Sequence, residues 1–521
     1  MSAPWRVGRN ALSNYLGKLV ALASAVLLTP LILQHLGATG YALWVLVGSV
    51  TGYGALLDLG LSSAIVKYVA EYRATAHLDQ ARQLIATALR LYSALGLLAL
   101  VVAAIAAPLV PQILQLPASE RPTAAQLGLL AGIAVGFGLP CSTVGAVLRG
   151  LHRFDLLNVI SLASTLLSTA GSVLVLLLGG GVVGLMLVNI GVMLALQAPS
   201  IWLLGSAAPE LRFGWRGSTR KHAAQVFRFG SWVFMVDLAS RLQAKTDEIV
   251  IGLLLPVAAI TPYAIANRMA EVPQILTDQF LKLLLPRAAE LHVTDELSRM
   301  RGLYLTSTRL TLAALVAIGG TLTLVAGPLL KVWVGPAYSD AAVLVAVLVL
   351  ASAINTSQWP AASILQAMAR HRVLAVSSMA SAVANIVLSI VLLRWLGLMG
   401  VAIGTLVPTA LECLGFVLPY TAHVLGVRRT ELARQVLLPT LLPAIAMASL
   451  TSVLMSRTRP ESLADILLVS FVALATYAST YLLSGASAAE RRTYAVLWNE
   501  ALAVTHARLK SATSSLGRPD G

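Results

Sequence analysis

The 521-residue chain is 58% hydrophobic and only 11% charged, with a formal net charge of +15. Soluble domains carry about 25% charged residues, so this composition excludes a soluble globule of ordinary surface and points to the membrane. The basic excess is assigned to membrane topology; no Gly-rich phosphate loop, RNA-binding signature or helix-turn-helix context supports a nucleic-acid partner.

The N-terminal stretch has a basic start followed by an apolar run without a convincing cleavage site, and reads as an uncleaved first helix. Apolar runs long enough to span a bilayer follow one another along the chain. They cover 10–33, 41–66, 84–107, 124–148, 158–178, 182–204, 227–255, 260–284, 303–326, 340–365, 373–393, 398–421, 434–455 and 463–483. The expected fold class is therefore an all-α integral membrane protein with about fourteen transmembrane helices. With the N-terminus placed inside, 29 of the 37 basic residues fall in cytoplasmic segments and flanks, five fall outside and three lie mid-span. That asymmetry predicts a multi-pass membrane protein with both termini in the cytoplasm. Cys141 and Cys413 lie far apart in apolar runs and suggest neither a disulfide framework nor a metal site.

Two pairs of segments repeat. Residues 148–190 resemble 365–407, and HLGATGYALW (35–44) parallels LLPVAAITPYAIA (254–266), with Tyr41 set against Tyr263. The offsets are 217 and 222 residues. Helices 1–6 then correspond to helices 7–12, and an even span count makes the repeat parallel. Two six-helix lobes related by a pseudo-two-fold along the membrane normal are expected, with two extra C-terminal helices. The implied division is 1–205 for the first lobe, 206–226 for a cytoplasmic linker, 227–425 for the second lobe, 426–485 for helices 13 and 14, and 486–521 for a tail with interfacial-helix spacing.

Charges interrupt this apolar pattern. Asp237, Arg241, Lys245 and Glu248 recur at helical spacing on one face of span 227–255, beside Asp247. A lipid-facing charge at mid-bilayer costs about 2.5–3.5 kcal/mol even on the most lenient scale, so the stripe must face protein or water. Asn14 and Lys18 on helix 1, Asp58 on helix 2, and Asn267, Arg268 and Glu271 on helix 8 join it on repeat-equivalent helices. The candidate cationic cleft comprises Arg241, Lys245, Arg268 and Lys18, with Asn14 and Asn267 as polar companions. Adjacent guanidinium and ammonium groups suit a phosphate, and a cleft of membrane height suits a phosphate-headed amphiphile. Asp58 reads equally well as a helix cap or hinge beside Gly60.

Two further stretches carry a family resemblance. LGATGYALWVLVGSVTGYGALLDLGLSSAIVKYVAEYRA (36–74) resembles the helix 1–2 region of Wzx-type polysaccharide transporters, through Gly37, Gly40, Tyr41, the Asp58–Leu61 turn, Lys67, Tyr68 and Glu71. DEIVIGLLLPVAAITPYAIANRM (247–269) is similar to that family's helix 7–8 hairpin, through Asp247, Ile251, Gly252, Tyr263, Ala264 and Ala266. The resemblance implies a flippase for lipid-linked oligosaccharides, working by alternating access on an undecaprenyl-diphosphate carrier. It also implies coupling to H+ or Na+, with Asp58, Asp237, Asp247, Glu248 and Glu271 as candidates for coupling or charge balance. Polysaccharide polymerase components are its expected partners, and no cofactor is expected. The competing readings are an ion-coupled multidrug or small-molecule exporter, which would favour an acidic cleft, and a membrane glycan polymerase or ligase, which would need a larger outer loop.

Overall fold

In the structure, a computed structural model, residues 3–211 and 238–486 are described except 240, 244, 282, 283 and 295, together with 222, 234, 490 and 491. Side chains are described from residue 17 onward, apart from 279–281 and 371. Asp237, most of the 206–226 linker and nearly all of the tail lie outside the described residues, as does the side chain of Asn14.

The described residues form helices and turns and no strand. In the first half these are α1 (Ala3–Gly54), α2 (Leu61–Ala74), α3 (Leu78–Ala106), α4 (Arg121–Gly150), α5 (Phe154–Leu177), α6 (Gly181–Ala195) and α7 (Gln197–Ala207). The second half has α8 (245–254), α9 (Ile260–Leu281), α10 (Leu284–Val293), α11 (Leu297–Trp333), α12 (Ala342–Ser357), α13 (Trp359–Ala367), α14 (His371–Leu396), α15 (Leu398–Ala410) and α16 (Leu418–Leu425). A π-helical turn, Leu411–Val417, joins α15 to α16, and α17 (Leu438–Thr458) and α18 (Leu463–Thr480) follow.

Eleven helical segments among the described residues are long and apolar enough to cross a membrane, against fourteen expected. Three expected spans account for the difference. α1 is two helices joined at Gly37, whose φ of 66° breaks the helical path, so the first two spans merge into one segment. The span at 227–255 lies partly outside the described residues. α9 carries Arg268, Glu271 and Asp278, which breaks the apolar window.

The two halves reproduce the same neighbours. α3 packs on α4 as α11 packs on α12, α4 on α6 as α12 on α15, and α5 on α6 as α14 on α15. α2 also packs on α3 and α4 as α10 packs on α11 and α13. The loops that the sequence pairs meet in space: the Thr261 hydroxyl donates to the Ala38 carbonyl at 2.7 Å. α17 and α18 pack on each other and on α11, outside this correspondence.

Core packing shows how the halves are joined. One apolar core takes side chains from both, including Ile32, Tyr41 and Leu46 from the first and Ile251, Ile260 and Val345 from the second. It lies at the end that bears Gly37 and Pro256. At the opposite end, where Arg73, Arg153, Arg299 and Arg370 sit, each half has its own core. Ile65, Leu84, Tyr92 and Leu148 build one; Leu291, Tyr304, Ile364 and Leu425 build the other. Among the described residues, the halves therefore share a core at one end and have separate cores at the basic end.

Candidate functional site

Two cavities lie where the charged helices converge. The smaller, about 360 Å³, sits between α1 and the α8–α9 pair. Lys245, Arg268, Glu248, Glu271 and Asn267 line it from the second half, and Ser24, Thr29, Tyr41 and Ser49 from the first. Helical spacing explains the grouping. Lys245 and Glu248 are one turn apart on α8, while Asn267, Arg268 and Glu271 fall within a turn on α9. Arg268 pairs with Glu271 at 3.5 Å. Lys245 forms no ion pair within 4.0 Å among the described residues, and its aliphatic stem lies beside Gly52.

The larger cavity, about 930 Å³, lies wholly within the second half. Asp247, Glu248, Glu271 and Glu412 contribute carboxylates, and no Lys, Arg or His is among its described lining residues. Glu248, Asn267 and Glu271 line both cavities, so the two are contiguous. Of the four expected cleft cations, Lys245 and Arg268 line the smaller cavity, where they share it with Glu248 and Glu271, and none lines the larger one.

At one wall of the larger cavity, Asp247 is 7% exposed. Its Oδ2 accepts from the Tyr263 hydroxyl at 2.5 Å and from the Thr405 hydroxyl at 2.9 Å. Asn385 Nδ2 donates to Thr405 at 3.0 Å and to the Gly404 carbonyl at 3.2 Å. Asp247 Oδ1 and Glu248 Oε2 have no hydrogen-bond partner among the described residues although both are buried. Such atoms are costly in a low-dielectric interior and are commonly matched by water, a proton or a cation. In the first half the repeat-equivalent Tyr41 lies against Thr29, a neutral residue.

The family model described as "polysaccharide biosynthesis protein" matches residues 40–343, which is more than half of the chain. The chain belongs to the polysaccharide biosynthesis protein family. A probable flippase, AglR of Haloferax volcanii, is 24% identical over 213 residues. That match covers 39% of this chain, and the chain spans 43% of the length of that relative. Among solved structures, the lipid II flippase MurJ in an inward closed conformation superposes with a TM-score of 0.68 at 12% identity, covering 91% of this chain and 98% of that one. An inward-facing multidrug resistance MATE family transporter of the MOP superfamily gives 0.66 at 15% identity, over 79% of this chain and 94% of that one. This family member is a multi-pass membrane protein with the two-lobed fold of those transporters.

The sequence-derived site residues of this polysaccharide biosynthesis protein are not all in one place. Lys245, Arg268, Glu248, Glu271 and Asn267 converge at the smaller cavity, and Asp247 lines the larger one. Arg241 lines neither; its guanidinium donates to the Gly52 carbonyl at 2.7 Å and ties the stretch ahead of α8 to the first half. Lys18 forms an ion pair with Asp278 that bridges α1 and α9. Asp58 stands apart from both cavities. It accepts from the Ser62 backbone N–H at 3.1 Å and from the Tyr92 hydroxyl, and so caps the first turn of α2 after the left-handed pair Leu59 and Gly60. Its placement as a cap replaces the expectation that it shares the central cleft.

Glu412 escaped the sequence reading. It stands in the apolar run VPTALECLGFVLP, the same signal that marks Asp247. It accepts from the Ser378 hydroxyl at 2.6 Å and the Ser377 hydroxyl at 3.2 Å.

Proposed function

We propose that this chain is a flippase that carries a lipid-linked oligosaccharide of undecaprenyl-diphosphate type from the cytoplasmic to the outer leaflet. The glycan feeds cell-surface polysaccharide assembly, as O-antigen, capsule or exopolysaccharide. The observation that carries this reading is the pairing of Lys245 and Arg268 at a cavity between the two halves. Membership of the polysaccharide biosynthesis family and the likeness to a probable flippase support it.

The basic end faces the cytoplasm by the positive-inside rule, so the plasma-membrane protein is sealed outside and separately packed inside. A diphosphate entering from the cytoplasmic side meets Lys245 and the Arg268–Glu271 pair while the polyprenyl tail stays in lipid. Guanidinium exchanges one acceptor for another without losing its charge, so phosphate replaces Glu271 on Arg268. Separation of the shared core and closure of the basic end then expose the site to the other side. The unpartnered oxygens of Asp247 and Glu248, with Glu271, serve coupling to H+ or Na+. Polymerase components that lengthen the glycan are the natural downstream partners. The chain acts as a transporter rather than an enzyme.

One observation favours a second reading: the acidic larger cavity suits an ion-coupled exporter of organic cations. A deletion strain separates the two. The flippase reading expects lipid-linked oligosaccharide to accumulate on the cytoplasmic leaflet, out of reach of an outer-face glycosidase, and to be restored by the wild-type chain. Normal outer-leaflet glycan with lost export of a cationic dye would instead establish the exporter.

A further inference from the structure

The larger cavity carries four carboxylates and, among the described residues, no cation, so it offers a phosphate like charge rather than a counter-ion. Its walls bear neutral hydrogen-bonding groups in number: Gln243, Asn355, Gln358 and Gln366 supply amides, and Trp359 supplies an indole. We infer that this cavity is the glycan subsite of the transporter, and that it accepts neutral or amino-bearing sugars and discriminates against sugars carrying carboxylates. The inference rests on the flippase reading above and adds the chemistry of the cargo.

A sugar hydroxyl both donates and accepts, and an amide side chain answers in both senses, as lysine and arginine cannot. Gln358 is 5% exposed and donates to Ser357 at 3.1 Å, yet its Oε1 has no partner among the described residues. Ser352 Oγ on the same wall likewise finds no partner among the described residues. Buried acceptors left in this state are completed by a donor from a ligand or by water. Trp359 opens α13 from a cavity wall, and a flat aromatic face packs against the apolar face of a sugar ring while the amides bind its edge.

Glu412 sets the charge preference. It is held in the π-helical turn Leu411–Val417 by the two serines and, at 3.5 Å, by Gln243. Single π turns inside membrane helices recur at functional sites. With Asp247, Glu248 and Glu271 on the same cavity and no described cation there, a uronic acid meets like charge, whereas an ammonium group is welcome. Contiguity fixes the order: Asn267, Glu248 and Glu271 border both cavities, so a diphosphate seated at Lys245 and Arg268 leads its first sugars into the larger one. A cavity of about 930 Å³ lies near the top of the range of about 300–1,000 Å³ typical of small-molecule sites.

The test measures binding to the full chain in lipid nanodiscs with three probes. They are undecaprenyl diphosphate, the same lipid carrying N-acetylglucosamine, and the same lipid carrying a disaccharide that ends in glucuronic acid. The readout is the ratio of affinities for glycosylated and bare lipid, which a general loss of folded protein does not move. The N-acetylglucosamine probe is expected to bind about tenfold tighter than the bare lipid, the worth of one or two hydrogen bonds. Trp359→Ala and Gln358→Ala bring that ratio to about one, and Trp359→Phe preserves it. The glucuronate probe binds more weakly than the neutral one, and Glu412→Gln narrows that gap. If Trp359→Ala does not fold, Gln366→Ala on the same wall gives the same readout. A wild-type ratio of one, or a ratio unmoved by these variants, overturns the glycan subsite while leaving the flippase reading standing. Failure of undecaprenyl diphosphate itself to bind overturns the flippase reading and the subsite with it.

Discussion

The contact between Tyr263 and Asp247 offers a quantitative check of the site. Tyr263 is 1% exposed and Asp247 7%, and the phenol donates to Oδ2 at 2.5 Å. Tyr263→Phe removes the donor and keeps the ring, leaving Thr405 at 2.9 Å as the one remaining donor to that oxygen among the described residues. Hydrogen bonds to charged acceptors contribute about 1.5–3 kcal/mol in soluble proteins. Between membrane helices measured values average about 0.6 kcal/mol and reach about 1.7, because the unfolded chain finds other partners in the membrane. Asp247 has few alternatives, since its other oxygen is already unpartnered, so the coupling belongs at the upper end, about 1.5 kcal/mol. Tyr263→Phe, Asp247→Asn and the double variant, unfolded reversibly in mixed detergent–SDS micelles, form the cycle. The single variants are expected to be non-additive by about that amount. Additivity within about 0.3 kcal/mol would refute the claim that this contact organises the wall of the cavity.

Other outcomes follow from the same geometry. Asp58→Ala should destabilise the fold by about 1–2 kcal/mol through the lost cap, while transport per folded molecule stays at the wild-type level; selective loss of transport would return Asp58 to the machinery. A Cβ on Gly404 would lie 2.7 Å from the Ser389 backbone, so Gly404→Ala should push α14 from α15 and lower stability by about 1–3 kcal/mol, read as a fall in melting temperature in detergent. Cysteines introduced together at Ala38 and Thr261 should cross-link across the sealed end and stop transport until reduced; full activity in the oxidised form would contradict alternating access.

Much of this architecture is legible in the sequence because the bilayer restricts the choices. Apolar length marks the spans, and the basic residues mark one end. The match of Tyr41 with Tyr263 marked two equivalent segments, and the structure adds that they touch through Thr261 and Ala38. The charges on α8 and α9 were legible as protein-facing, since lipid would not accept them. Their partners were not. Periodicity places Lys18 on a helix face but says nothing of Asp278, 260 residues away. It groups Arg241 with Lys245 on one face, yet the backbone carbonyl of Gly52 takes Arg241. Asp58 looked like a cleft residue because charge in an apolar run is conspicuous, and a cap one turn ahead of α2 leaves the same trace. The acidic cavity was missed because Glu412 went unnoticed and Asp247, Glu248 and Glu271 were grouped with the cations, while its neutral Gln, Asn and Ser lining comes from several helices, a pattern with no sequence period.

Transport itself tests the central claim most directly. Undecaprenyl-diphosphate-linked N-acetylglucosamine is placed in the inner leaflet of proteoliposomes containing the full chain, and its appearance outside is followed with an external glycosyltransferase. The account predicts translocation by the wild-type chain and its loss in Lys245→Ala/Arg268→Ala, with both proteins inserted equally. Wild-type rates in the double variant would contradict a phosphate site between the two halves.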